Sequence, residues 1–195
     1  ANAKDPFVEP GPQDQSQDLP PEPDHLVPLD PDPEDWYVRY TRLLAEKLKS
    51  GGFCFARMER RPSFGGESSL RLHGRPKDRD IGATKEFFLT HAVAARSIWS
   101  SMNHDKMQKQ VKVTTTTVPI SKDLAGRVCS IWDQMIQRVR KPDAENMGLD
   151  GETIEFSTPK GRGEIWTPMQ PKSPRMLVEL GQSLADYCQA APEKR

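Results

Sequence analysis

Nine of the eighteen prolines lie between Pro6 and Pro33, and this placement limits the possible folds more than any other feature. Each X-Pro pair pushes the preceding residue into extended or polyproline II geometry, and each proline removes a backbone donor. Neither a helix nor a sheet ladder can run through such a segment. Its apolar groups are few, and the main ones are Phe7-Val8 and Leu26-Val27, with Leu29 close by. They are too sparse to offset the ordering entropy, although they could anchor a loose strap to whatever follows. Residues 1–32 therefore read as an acidic proline-rich arm, disordered or strap-like, and residues 33–195 as a single domain. His25 is expected to be solvated within the arm.

Charge divides at the same place. Residues 1–35 hold ten acidic side chains and one basic one, Lys4. The whole chain carries 28 basic and 28 acidic residues, so residues 36–195 are left with 27 basic and 18 acidic ones, a balance of +9. The neutral total thus hides an anionic arm beside a cationic body. The body's own surface, or the arm lying upon it, must manage that field.

Beyond the arm, the periodicity of apolar residues predicts the elements. Asp32 is expected to cap a helix with Pro33 at its first position, and Trp36, Tyr40, Leu43, Leu44, Lys47 and Leu48 to form its inner face. Gly51-Gly52 closes it. Strands are expected over Phe53–Glu59 and Ser69–His73, with a turn at Phe64-Gly65-Gly66 between them and a polar loop from Arg75 to Thr84 after them. Residues 85–102 fit neither period cleanly, and a strand is favoured there because the flanking segments are strands. The β-branched run in Lys109–Val118 disfavours helix and is expected to end its pairing at Pro119. Ser121 then caps a helix with a stripe of Leu124, Val128, Ile131, Trp132, Met135, Ile136 and Val139, ending before Pro142. A hairpin follows, with strands Thr153–Ser157 and Glu164–Thr167 around a basic loop, Pro159 to Gly163. Ser173-Pro174 opens a final helix carrying Leu177, Leu180, Leu184, Tyr187 and Cys188. Gly181 within it suggests a close approach between helix and sheet. This order predicts an α+β fold: an antiparallel or mixed sheet with about three helices packed on it. Strands do not alternate regularly with helices, which disfavours a doubly wound nucleotide-binding fold.

The motifs of catalysis are missing. The glycine-containing stretch Phe64 to Ser69 is neither GxSxG nor a P-loop, and a turn between strands explains it better. No HExxH and no CxxC occurs, and His25, His73, His91 and His104 have no metal-ligand spacing, so no metal or cofactor is expected. His91 sits among apolar residues, where a satisfied core histidine is the commoner outcome. Cys54, Cys129 and Cys188 each lie in an apolar context and read as buried small hydrophobes rather than a disulfide. A cysteine nucleophile with His91 or His73 is disfavoured on the same ground. Glu152, Glu155 and Glu164 cluster around the hairpin, where a carboxylate pair cannot be judged without geometry.

Two basic groups remain as candidate binding residues. Arg57, Arg60, Arg61 and Arg71, with Arg75, Lys77 and Arg79, mark the first strand pair; Lys160 and Arg162 mark the hairpin loop, with Trp166 nearby. An anionic polymer or a protein would suit them. Nucleic acid is disfavoured because no pattern of stacking aromatics accompanies the cations. Solvated strand edges protected by charge are the plainer reading.

The C-terminal stretch runs Leu149-Asp150-Gly151-Glu152-Thr153-Ile154-Glu155-Phe156, then Ile165-Trp166-Thr167-Pro168, then a helix from Met176 through Tyr187. It resembles small exported bacterial proteins of uncharacterised function, over about 40 residues. That resemblance implies export but assigns no catalytic residue. The opening Ala1-Asn2-Ala3, without Met, is what removal of a signal peptide leaves, although a trimmed cytosolic domain begins the same way. The resulting expectation is a non-catalytic binding or interaction protein of the bacterial cell envelope, periplasmic or secreted, with no transmembrane segment. The alternative is a hydrolase with a non-obvious Cys/His or carboxylate site.

Overall fold

A computed structural model describes residues 24–49, 52–75, 79–102, 111–141, 150–167 and 172–190. The expectations for Phe7-Val8, Gly51, Lys77, His104, Pro142 and Pro168 lie outside them. In chain order the elements are α1 (Asp35–Lys47), β1 (Ala56–Pro62), β2 (Ser68–His73), β3 (Phe87–Ala94), the one-turn α2 (Ile98–Ser101), β4 (Val113–Ile120), α3 (Lys122–Ile136), β5 (Glu152–Thr158), β6 (Gly161–Trp166) and α4 (Ser173–Gln189). The six strands form one antiparallel sheet in the order β4-β3-β2-β1-β5-β6. The fold is therefore α+β, and the antiparallel alternative is the one realised.

Strand pleating sends alternate side chains to opposite faces. One face carries Phe87, Leu89, Leu70, Leu72, Ala56, Met58, Ile154, Phe156, Ile165 and Val118, and it forms the main core with α3 and α4. Trp132 of α3 meets Phe156 edge to face at 5.6 Å. Gly181 of α4 permits the close approach its position suggested, since a Cβ there would meet Met58 Sδ at 2.3 Å. The opposite face is covered over part of its area by α1 and α2. There Tyr40, Leu44 and Leu48 pack with Ala92, Ala94, Ile98, Met102 and Val111 in a second, smaller core.

Several sequence expectations are corrected. The first helix begins at Asp35 with Glu34 as its cap, two residues later than Asp32 and Pro33 suggested. Asp30 Oδ1 accepts the N–H of Asp32 at 2.9 Å, holding a local turn that keeps Pro33 outside the helix. The hairpin closes through two residues, Pro159 and Lys160, so Arg162 belongs to β6 and not to a mobile loop. Pro119 does not end the pairing of its strand: it lies opposite Phe88, and β4 continues to Ile120. As an edge strand, β4 tolerates a residue without an N–H. The ambiguous segment resolves into strand β3 followed by α2. Ile131, placed in the apolar stripe by period, is left exposed.

The arm's last residues are packed against the domain. His25 and Leu26 are buried, so His25 is not solvated as expected. Val27 and Glu164 exchange backbone hydrogen bonds, both at 2.8 Å, which covers part of the outer edge of β6. Asp24 accepts the backbone N–H of Ser173 at 2.8 Å and so serves the N-terminus of α4, whose own cap residue Lys172 makes no side-chain cap bond. That bond, with Lys172 and Arg138 nearby, holds the Asp24 carboxyl below its usual range.

Candidate functional site: the cleft over the charged face of the sheet

The face of the sheet beneath α1 is built from charged side chains, and strand register sets their order. Glu59, Glu155 and Glu164 lie directly across from one another on β1, β5 and β6. One step along, Arg71, Arg57, Ser157 and Arg162 form the neighbouring row across β2, β1, β5 and β6. On the other side of the glutamate row stands Arg61. Like charges directly opposite one another destabilise a sheet. Here each member of the glutamate row is countered by an arginine from beside the row. Arg57 pairs with Glu59 at 3.5 Å and with Glu155 at 3.3 Å, and Arg61 pairs with Glu155 at 3.5 Å and with Glu164 at 2.8 Å.

These groups are not ordinary solvated surface. Glu59, Glu155 and Arg61 are buried. Burial pushes the Glu59 and Glu164 carboxyls above their ordinary range, with Arg57 and Arg61 respectively pulling them back. Burial likewise lowers Arg71, with the charge of Arg57 opposite adding to that direction. Tyr37 of α1 accepts from Arg61 through its hydroxyl, and the guanidinium lies 5.5 Å from its ring centroid. The helix is thereby tied to the charged floor.

Between α1 and this floor lies a cleft of about 920 Å³. Its floor includes Arg57, Glu59, Arg61, Glu155, Arg162 and Glu164; Asp30 of the strap, Glu34 ahead of α1, and Trp36, Tyr37, Tyr40, Ala45 and Trp99 are among the residues lining the rest. Trp36 meets Trp99 edge to face at 5.0 Å, and Trp99 meets Tyr40 likewise at 5.2 Å. The aromatic wall is fixed from behind by Glu67. This side chain has no exposure, and its carboxylate accepts the N–H of Ile98 at 2.6 Å, the N–H of Trp99 at 2.9 Å and the hydroxyl of Tyr40 at 3.0 Å. It thus caps α2 and holds α1 beside it. Gly66 lets β2 start this close to β3, because a Cβ there would meet the Ala94 carbonyl oxygen at 1.9 Å.

The cations singled out in the sequence divide between the two faces. Arg57, Arg61, Arg71 and Arg162 share the charged face, whereas Arg60 points the other way, held by Glu152 through two hydrogen bonds of 2.8 and 2.7 Å and by Gln182. Lys160 sits in the tight turn, paired with Asp133 of α3 at 2.7 Å. Trp166 lies at the end of β6 opposite Thr153, packed so closely over Gly151 that a Cβ there would meet its ring at 2.3 Å. β1 and β2 are interior strands, so their arginines do not protect strand edges as expected. Sequence reasoning missed Glu59, Glu67, Tyr37 and Trp99. The alternation of Arg57, Glu59 and Arg61 within a strand was a usable signal for the first of these.

The other reactive groups are spoken for. The three cysteines are free thiols; burial raises Cys54 and pushes Cys129 up to about 12, which keeps both protonated at neutral pH. His91 lies on the main-core face and bonds Gln189 of α4 at 3.0 Å, a satisfied buried histidine whose pKa burial lowers. His73 Nδ1 donates to the Gly74 carbonyl at 2.7 Å, and its Nε2 meets the Thr90 hydroxyl at 2.9 Å. Among the described residues no group of three or more His, Cys, Asp or Glu is placed to hold a metal ion. Nor is any described helix long and apolar enough to cross a membrane. Comparison with family models, with curated proteins and with solved structures found no match.

Proposed function

We propose that the chain is a non-catalytic binding protein of the bacterial cell envelope, with its partner seated in the cleft between α1 and the charged face of the sheet. The observation that carries this reading is the cleft floor, where buried Arg61, Glu59 and Glu155 and half-buried Arg57 and Glu164 hold one another in fixed positions opposite an aromatic wall. A mostly apolar wall with a few rigidly placed polar groups is the general composition of a ligand site. Rigidity lowers the ordering cost of association, since the polar groups need not be immobilised when the partner arrives. The envelope assignment rests on the C-terminal resemblance to exported proteins. The partner is a small molecule, a protein segment or one stretch of a polymer. Arg57, Arg61 and Arg162 are matched by Glu59, Glu155 and Glu164, so the floor has no net charge to favour a polyanion.

The test fills the cleft. Ala45→Trp, on the α1 wall, should abolish capture of a partner from envelope fractions while leaving the thermal midpoint unchanged. Equal capture by both proteins would sink the proposal. A hydrolase using the carboxylates is the second reading, favoured by Glu59 and Glu155 lying directly opposite in a cleft with the Glu59 carboxyl raised by burial. Turnover in a broad hydrolase panel that disappears in Glu59→Gln would replace the binding reading with this one.

A further inference from the structure

Resting on the cleft reading, we infer that the ligand is a short neutral oligosaccharide that stacks on Trp36 and Trp99 and hydrogen-bonds the Arg/Glu floor. The two indoles are 44% and 43% exposed, so large apolar rings stand half in solvent at the cleft mouth. They are nonetheless fixed: Trp36 donates its ring N–H to Glu34, and the backbone N–H of Trp99 is held by Glu67. A pyranose has an apolar C–H face that packs on the electron-rich face of such a ring, and hydroxyls around its rim that need partners. Rim and face together match a site with an aromatic wall above a polar floor.

The floor argues for neutrality. Arg57 is engaged by Glu59 and Glu155, and Arg61 by Glu155 and Glu164. A ligand charge set against Arg57 or Arg61 would gain its own pair only by breaking one of these, leaving the displaced charge buried and uncompensated. A hydroxyl both donates and accepts, so it can use the remaining lone pairs of a glutamate or the remaining N–H groups of an arginine without altering the charge balance. Peptides fit less well. The floor is the face of a sheet whose central strands are paired on both sides, so it offers no ladder for an added strand. An amphipathic helix would have to lay its apolar side over six charged groups. The volume, about 920 Å³, lies within the roughly 300–1,000 Å³ of small-molecule sites and suits a few sugar rings.

Titration calorimetry and tryptophan emission of the full chain test this directly. The probes are neutral tetrasaccharides of N-acetylglucosamine and of glucose, a sulfated tetrasaccharide, and one acidic and one basic octapeptide. At least one neutral tetrasaccharide should bind and shift the emission, with an affinity that changes less than about twofold between low and high salt because no net charge is exchanged. Trp36→Ala and Trp99→Ala should each weaken it by about fivefold, the loss of one aromatic contact. Binding by the sulfated sugar or a peptide alone, weakened by Trp36→Ala, overturns the glycan assignment and leaves the cleft reading standing. Binding of any probe that Ala45→Trp does not disturb overturns the cleft reading itself. No binding by any neutral sugar also overturns the glycan assignment.

Discussion

Replacing Glu67 with alanine removes an acceptor, placed just ahead of β2, that α1 and α2 share. Three donors lose their partner at once: the N–H groups of Ile98 and Trp99 and the hydroxyl of Tyr40. The site has no exposure, so water cannot replace the carboxylate without opening the second core. Each buried donor left unsatisfied costs roughly 1–3 kcal/mol, while removing the buried carboxylate returns part of its desolvation penalty. The expected net loss is about 3–5 kcal/mol, a large share of the roughly 5–15 kcal/mol that stabilises a typical domain. In a chain of this size that lowers the thermal midpoint by roughly 10 °C. Glu67→Gln keeps one carbonyl acceptor but turns an amide towards backbone donors, and should lose about half as much. Urea unfolding followed by tryptophan emission measures both, and emission should also report the release of Trp99. A Glu67→Ala stability within about 0.5 kcal/mol of the parent, with unchanged emission, would refute the assignment of Glu67 as the anchor of the aromatic wall.

Arg61→Met should destabilise by about 3–5 kcal/mol at neutral pH, because Glu155 and Glu164 face one another once their shared cation is gone. The loss should shrink as pH falls through the Glu164 pKa, which burial raises above the ordinary carboxylate range, and urea midpoints at several pH values will show it. Gly181→Ala should cost about 1–2 kcal/mol despite alanine's better helix propensity, since its methyl meets Met58, and a double-mutant cycle with Met58→Ala should show the coupling. Folding lowers the pKa of His91 and His73, chiefly by burial, so the unfolded chain binds more protons just below pH 6.5. Their contribution is fully present above pH 6.5 and lost as pH falls towards the folded values; His91→Gln should flatten that part of the urea-midpoint profile. Glu59 and Glu164 act oppositely: raised above 4.5 on folding, they stabilise most below that value and lose their contribution as pH rises through the folded pKa.

Most of the element order could be read from sequence because local periodicity and turn chemistry decide it. Ser121 does cap α3, with its hydroxyl accepting from Leu124 at 3.2 Å, and Ser173-Pro174 does open α4. The boundaries that failed had different causes. A short local turn, Asp30 accepting from Asp32, precedes α1 and competed with the expected cap, whereas the edge position of β4, which lets Pro119 stay paired, is set by strand order far outside any local window. The candidate site was half visible. Once residues 57–61 are a strand, period two alone puts Arg57 and Arg61 on one face and Arg60 on the other. Sequence distance hid the rest: Glu155 and Glu164 reach Arg57 and Arg61 across about 100 residues, through a register set by β1 pairing with β5.

By itself the sequence determined the acidic proline-rich arm, the order of strands and helices, and the α+β class, because proline geometry, apolar period and capping act within a few residues. Only the tertiary structure decided that the end of the arm is packed through Leu26 and Val27, that β1 and β2 lie inside the sheet, and that Arg57, Arg60 and Arg61 of β1 are matched by glutamates. The reason is physical. A charge's meaning depends on what lies across from it and on how much water remains, and both are set by strand order and register rather than by neighbours in the chain.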